Sequence, residues 1–135
     1  MRNIQNADYT DTGTTLGYYD EVVRTLRRHT AAPIVMGGGG FSVIPAELMR
    51  RYELDYGVVG EGEIGWPRLV RDLEKGHLQD FYRADGQEFD LAHAPMPRFD
   101  LLGPRERNRF TVQTQRGCPW RCDFCASSIQ LTSRY

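Results

Sequence analysis

The chain has few cysteines, and the small number limits what they can do. Only three are present among 135 residues, and all of them lie between Cys118 and Cys125. An odd number of cysteines without a secretory signal argues against a disulfide framework. A closed structural zinc site takes four ligands, so His93 or a distant residue would have to complete one. A zinc-binding interaction module therefore stays an alternative explanation for these thiols.

Other absences exclude whole classes of function. The formal net charge is −1, so no overall basic field indicates a nucleic-acid partner. The longest apolar runs, such as residues 31–36, are far too short to span a membrane. The first fifteen residues are polar and lack the apolar core of a signal peptide. We therefore expect a cytoplasmic protein, and the 40% apolar content is sufficient for a packed core.

The densest chemical signal is the run RGCPWRCDFC, at residues 116–125. Its cysteines follow the spacing C-x-x-x-C-x-x-C. Three thiolates in a tight loop can bind three irons of a cubane cluster and leave the fourth iron open for a substrate. We therefore expect Cys118, Cys122 and Cys125 to be the metal ligands of a 4Fe-4S cluster, with Gly117 and Pro119 shaping the loop.

This run closely resembles the signature of the radical S-adenosylmethionine (SAM) enzymes. The resemblance implies that the open iron binds the amino and carboxylate groups of SAM and that the cluster cleaves SAM to a deoxyadenosyl radical. It also implies that Phe124 packs near the adenine, because the residue before the third cysteine is commonly aromatic in the family. An external electron donor, such as a flavodoxin or a ferredoxin, and a small-molecule substrate of unknown identity follow from the same resemblance.

Upstream of the cysteines, helix and strand patterns alternate. Helical periodicity predicts a helix over residues 18–29, a second from Pro45, and a third from Pro67 to a stop at Gly76, with Trp66, Leu69, Val70 and Leu73 on its apolar face. Short apolar runs predict strands at 33–36 and 56–59. Such alternation indicates a parallel sheet covered by helices on both faces. Ligands bind such sheets at the carboxyl ends of the strands.

Each predicted strand is followed by a glycine-rich segment, at residues 37–40 and 60–63. Neither segment has the G-x-G-x-x-G or Walker pattern, so two tight turns are the structural alternative to a binding site. The two glutamates of GEGE would repel an anion. We expect Glu61 and Glu63 to accept hydrogen bonds from hydroxyl or amide groups of a ligand, or to cap neighbouring backbone amides.

Residues 33–73 are similar to the second half of the cobalamin-binding domain that precedes many radical SAM barrels. The likeness lies in a strand that ends in Gly-Gly, a helix that starts with proline, and the run D-Y-G-V-V-G-E-G-E. It implies that cobalamin is bound by Gly37, Gly38, Gly39, Gly40, Gly60, Glu61, Gly62 and Glu63. None of His29, His77 and His93 lies in the D-x-H-x-x-G pattern that supplies a cobalt ligand, so none is assigned.

These patterns divide the chain into three parts. They are a partial cobalamin-binding domain at 1–78, a linker at 79–108, and the start of a radical SAM domain at 109–135, where residues 109–115 alternate like a strand. The expected fold class is α/β: a partial Rossmann-like parallel sheet, then the linker, then the first strand and cluster loop of a (β/α) barrel. Because a full barrel needs about 200 residues or more, we expect a piece of a larger protein.

The resemblance implies a fragment of a cobalamin-dependent radical SAM enzyme, in a family that often transfers a methyl group to an unactivated carbon. The alternative is an inactive remnant or a stand-alone module that binds zinc or a cluster without catalysis. We expect the isolated chain to be inactive and assign no catalytic residue, because the family's glycine-rich motif for the SAM amine lies on the next barrel strand.

Overall fold

The computed structural model describes residues 16–84, 87, 89–103, 116–117, 120 and 122–123. The predicted strand at 109–115 lies outside this part of the chain. The described helices and strands follow in chain order: α1 (Leu16–His29), β1 (Val35–Gly37), α2 (Gly39–Val43), α3 (Pro45–Tyr52), β2 (Tyr56–Val59), α4 (Gly62–Lys75) and β3 (Phe81–Arg83). Two short 3-10 turns follow at Leu91–His93 and Phe99–Leu101. None of the described helices is long and apolar enough to cross a bilayer.

The three described strands form one sheet in the order β1-β2-β3, and both pairs are parallel. Val35 lies opposite Tyr56 at the start of the first pair, and Gly57 lies opposite Phe81 in the second. The prediction of an α/β fold with a parallel, partial Rossmann-like sheet is therefore confirmed. The apolar runs predicted as strands correspond to β1 and β2.

Helices pack on both faces of the sheet because neighbouring strand residues point to opposite sides. On one face, α1, α2 and α3 bury a cluster around Met36 of β1. On the other, Leu69 of α4 packs against Val58 and Tyr82. The larger cluster comprises Tyr19, Val23, Ile34, Met36, Phe41, Leu48, Tyr52 and Leu54. The predicted coverage of both faces is confirmed for the described strands.

The start of α4 differs from the prediction. We expected the helix to begin at Pro67, but it begins at Gly62, and Pro67 lies inside it. The Glu61 carbonyl accepts hydrogen bonds from the Ile64 and Gly65 amides, each at 3.2 Å, which closes the first turn well before the proline. Pro67 has no amide hydrogen, so it removes one bond near the beginning of the helix without ending it.

The predicted apolar face of α4 is also mostly wrong. Leu69 is fully buried, whereas Trp66 is 51% exposed, and Val70 and Leu73 are also exposed. The helix instead turns Gly65 and Leu69 toward the sheet. It approaches closely at Gly65, where a Cβ atom would lie 2.7 Å from Val58 Cγ1.

Two further elements were not predicted. The segment 37–40 is not a loop, because Gly37 belongs to β1, and Gly39 and Gly40 begin the short helix α2. Glycine has a poor helix propensity, so local pattern gave no sign of this helix. Its Phe41 is buried against Gly57 of β2, which shows that tertiary packing holds the turn.

The third strand, β3, lies inside the segment predicted as a linker. Its three residues are too few to show an alternating pattern, yet Phe81, Tyr82 and Arg83 pair with β2 in register. The sheet therefore continues past residue 78. The division of the chain into domains stays a prediction.

Candidate functional site

The two glycine-rich segments lie at the same edge of the sheet. Because β1 and β2 are adjacent and parallel, Gly38 and Gly60 both follow the carboxyl ends of their strands. Their φ angles are 91° and 81°, in the left-handed region that favours glycine. The expectation that these segments meet at the ligand-binding edge of the sheet agrees with this placement. We call this region the glycine edge.

Ser42 of α2 forms hydrogen bonds to both segments of the glycine edge. Its hydroxyl donates a hydrogen bond to the Gly38 carbonyl at 2.9 Å and accepts one from the Gly60 amide at 2.9 Å. Ser42 is only 4% exposed, so water does not replace these hydrogen bonds. Ser42 was not predicted from the sequence. The available signal was a small hydroxyl residue within the apolar run FSVI, directly after the glycines.

A shallow, mainly apolar depression of about 480 Å³ opens beside the glycine edge. It is lined by Gly37, Gly38, Val58, Gly62, Glu63, Trp66 and Pro67. Four of the predicted cobalamin-binding residues therefore line it, whereas Gly40 and Glu61 are buried below the surface. Trp66 and Pro67 were not predicted to face a ligand.

Two glutamates at the start of α4 bind the guanidinium group of Arg116. Arg116 Nη1 donates to Glu63 Oε2 at 2.9 Å, and Nη2 donates to Glu63 Oε1. The Glu61 Oε1 atom lies 3.6 Å from Nη1. The side chains of Arg116, Glu61 and Glu63 are 19%, 6% and 30% exposed. Hydrogen bonding from Arg116 lowers the pKa of Glu63, so this carboxyl group is ionised at neutral pH.

Glu61 has a second partner outside its own helix. Its Oε2 atom accepts a hydrogen bond of 2.8 Å from the backbone amide of Phe89. Its side chain makes no capping hydrogen bond to α4. The sequence predicted that the two glutamates accept hydrogen bonds, but the described contacts are to this chain's own Arg116 and Phe89.

The structure describes one of the three predicted metal ligands, Cys122, which is an exposed free thiol. Cys118, Cys125 and the predicted adenine contact Phe124 lie outside the described residues. Within the described part of the chain, no three histidine, cysteine or acidic side chains are grouped to hold a metal ion. The cluster site therefore stays a prediction. His29, His77 and His93 are exposed, as expected for surface or linker residues.

Comparison with known proteins points to methyltransferases. The chain is 33% identical over 107 residues to an uncharacterized methyltransferase of Synechocystis sp., covering 78% of this chain and 20% of that protein. It is 32% identical over 123 residues to an uncharacterized methyltransferase of Pyrococcus horikoshii, covering 76% of this chain and 27% of the relative. A tryptophan 2-C-methyltransferase of Streptomyces laurentii is 38% identical over 77 residues, covering 57% of this chain and 11% of that protein.

The chain thus spans about a quarter or less of the length of these curated relatives. No family model matches the sequence. No solved structure matches it either. The comparisons support similarity to proteins named methyltransferases, at low identity.

The residues at the glycine edge suit a large, flat cofactor. Gly37, Gly38 and Gly62 present backbone without side chains, and a Cβ atom built on Gly62 would meet no other atom within 4 Å. The walls at Val58 and Trp66 are apolar, as binding surfaces for bulky cofactors usually are. For the cluster, the donor set fits: three cysteines within one short run supply soft thiolate ligands of the kind that iron–sulfur clusters use.

Proposed function

We propose that this chain is part of a methyltransferase that uses a 4Fe-4S cluster, SAM and cobalamin. The observation that carries the proposal is the contact of Arg116 with Glu63 at the glycine edge. Arg116 stands two residues before Cys118, so this contact brings the start of the cysteine run to the predicted cobalamin surface. Methyl transfer is supported by the names of the curated relatives.

In this proposal, different residues bind the cluster and cobalamin. Cys118, Cys122 and Cys125 would bind the cluster, and the lining of the depression beside Gly38 and Gly62 would bind cobalamin. The cluster would supply the electron that cleaves SAM, and cobalamin would carry a methyl group. The protein's contribution is to hold the two groups in a fixed relation, which is the part of such chemistry that residues perform.

Anaerobic reconstitution of the full 135-residue chain tests the proposal. Iron and sulfide are offered in one sample and zinc in another, and bound metal is measured after desalting. We expect a brown chain with about four irons, since a cubane cluster contains that number. Replacing Cys118, Cys122 and Cys125 by alanine should abolish iron binding, whereas the exposed change Arg98→Ala should leave it unchanged.

Two results would contradict the proposal. One is a colourless chain that binds zinc stoichiometrically and takes up no iron, which would support a zinc-binding interaction module. The other is iron uptake that persists after all three cysteines are replaced, because the metal would then be bound elsewhere.

A further inference from the structure

Arg116 joins two parts of the chain that are far apart in sequence. Its ion pair with Glu63 links residues 53 positions apart. The guanidinium group faces two carboxylates, and we call Glu61 and Glu63 the glutamate socket. Both belong to the turn that begins α4, directly after the carboxyl end of β2. The two acceptors of Arg116 are therefore held in place by their connection to β2.

The geometry of the contact favours arginine over any other cation. Two nitrogens of Arg116 bond to the two oxygens of Glu63, while Nη1 also faces Glu61. A planar guanidinium group makes such paired bonds, whereas a lysine ammonium group is a single point of charge. Because the Glu61 side chain is only 6% exposed, water cannot solvate it well enough to replace a cationic partner.

A second segment, around residues 87–89, also contacts the start of α4. The Glu61 carboxylate accepts the Phe89 amide at 2.8 Å, and Arg68 of α4 donates to the Gln87 side chain at 2.6 Å. Part of the segment predicted as a linker is therefore attached to the first two turns of α4. Immediately after Arg116, Gly117 has a φ of 86°, in the left-handed region that favours glycine.

We propose that Arg116 is a positioning residue, which fixes the start of the cysteine run against the glycine edge through the glutamate socket. The positioning follows from the contacts alone. Its consequence, that a cluster on the cysteines faces a cofactor at the glycine edge, rests on the proposed function. Arg116 acts through the placement of its neighbours and is assigned no contact with substrate.

Loss of the Arg116 cation weakens the attachment of the cysteine run in two ways. The attraction between Arg116 and the socket disappears, and Glu61 and Glu63 are left as two neighbouring carboxylates in a partly buried turn. Arg116→Ala should therefore release the cysteine run more completely than Glu63→Gln, which leaves Glu61 as a partner. Arg116→Lys should retain part of the attachment, because the charge persists without the paired bonds.

A distance measurement between two spin labels tests the proposal without any cofactor. In the full chain, Cys118 and Cys125 are replaced by serine, one nitroxide is attached at the exposed Cys122, and a second at His77→Cys, after the end of α4. Pulsed electron spin resonance then gives the distribution of distances. We expect a narrow distribution that is lost in Arg116→Ala and intermediate in Glu63→Gln and Arg116→Lys. Arg98→Ala, which removes an exposed arginine–aspartate pair, is the matched control and should leave the distribution narrow.

The proposal is overturned if the distribution stays narrow in Arg116→Ala, or if it is already broad with Arg116 present. Far-ultraviolet circular dichroism accompanies each variant, and loss of the folded spectrum in Arg116→Ala would also overturn it, since Arg116 would then hold the sheet rather than the cysteine run. Iron uptake is measured separately. Narrow distances in the labelled chain, with no iron taken up by the chain that keeps all three cysteines, would defeat the proposed function alone. Iron uptake by that chain, with broad distances in the labelled chain, would defeat this inference alone.

Discussion

Individual side chains connect the turns of the glycine edge, and Ser42 has the most direct role. Its hydroxyl bonds to the turn after β1 and to the turn after β2 at the same time. One buried oxygen atom therefore joins the two turns, in addition to the pairing of β1 with β2.

We predict that Ser42→Ala lowers the free energy of unfolding by about 1–3 kcal/mol, because two hydrogen bonds are lost and the half-buried Gly60 amide loses its acceptor. Chemical denaturation measures the change. The matched control is Thr30→Ala, which removes an exposed hydroxyl that accepts the Ala32 amide at 3.0 Å. A loss for Ser42→Ala no larger than that for Thr30→Ala would contradict the role given to Ser42.

A second single-residue feature is Asp55, which fixes the entry to β1. Its Oδ2 atom accepts hydrogen bonds from the Ile34 amide at 2.7 Å and from Arg27 at 2.8 Å. The Ile34 amide chiefly, and then Arg27, lower the pKa of Asp55 from its ordinary value of 3.8. The ionised form is therefore favoured in the folded protein.

Asp55→Asn should consequently be less stable than the parent chain at neutral pH. The contribution of Asp55 is present above the ordinary pKa of 3.8 and is lost as the pH falls through the lowered folded value. The difference in unfolding free energy between the two proteins should thus shrink as the pH falls below 3.8, as denaturation curves at several pH values would show. The exposed change Asp80→Asn is the control, and a difference for Asp55→Asn that does not vary with pH would contradict the prediction.

Among the helices and strands, α4 approaches the sheet closely at Gly65. A Cβ atom there would lie 2.7 Å from Val58 Cγ1 and 3.0 Å from the Tyr82 carbonyl oxygen. Backbone cannot move aside as a flexible side chain does. The helix can approach β2 and β3 this closely only because position 65 has no side chain.

Gly65→Ala should therefore destabilise the fold by about 1–3 kcal/mol through overpacking. Gly17→Ala, in α1, is the matched control because a Cβ atom there meets nothing within 4 Å. It should be neutral or stabilise by about 0.5–1 kcal/mol, as alanine is the better helix former. Thermal or chemical unfolding compares the two, and equal effects would show that α4 does not pack as described.

The strands and helices differ in how well the sequence predicts them. Four consecutive residues, Tyr56–Val59, are apolar or glycine and are bounded by turn signals, so β2 was predicted with its observed bounds. Strand β3 has only Phe81–Arg83 and becomes a strand by pairing with β2, a non-local interaction. The start of α4 was missed because Pro67 resembles a helix start, while the glycine-rich turn before it forms the first turn through the Glu61 carbonyl.

In the candidate site too, local pattern predicts some residues and misses those that depend on contacts distant in sequence. Glycines after apolar strands predict a binding edge from local pattern alone, and three of those glycines line the depression. The pairing of Arg116 with Glu63 crosses 53 positions, and no local pattern indicates it. Trp66 was missed as a lining residue because helical spacing placed it on the buried face, whereas α4 turns Gly65 and Leu69 toward the sheet.

In the whole molecule, parts of the chain that are far apart in sequence contact the start of α4. It follows β2, lines the depression, and binds both Phe89 and Arg116. The proposed function depends on this convergence, because it relates the predicted cluster loop to the glycine edge. It requires above all that the three cysteines hold a cluster with one iron left open.

Electron spin resonance of the reconstituted, reduced chain tests that claim most directly, with spectra recorded before and after SAM is added. We predict the signal of a reduced 4Fe-4S cluster whose g-values shift on addition of SAM, because the fourth iron has no cysteine ligand and can bind it. An unchanged cluster spectrum in the presence of excess SAM, or no cluster signal at all, would contradict the account.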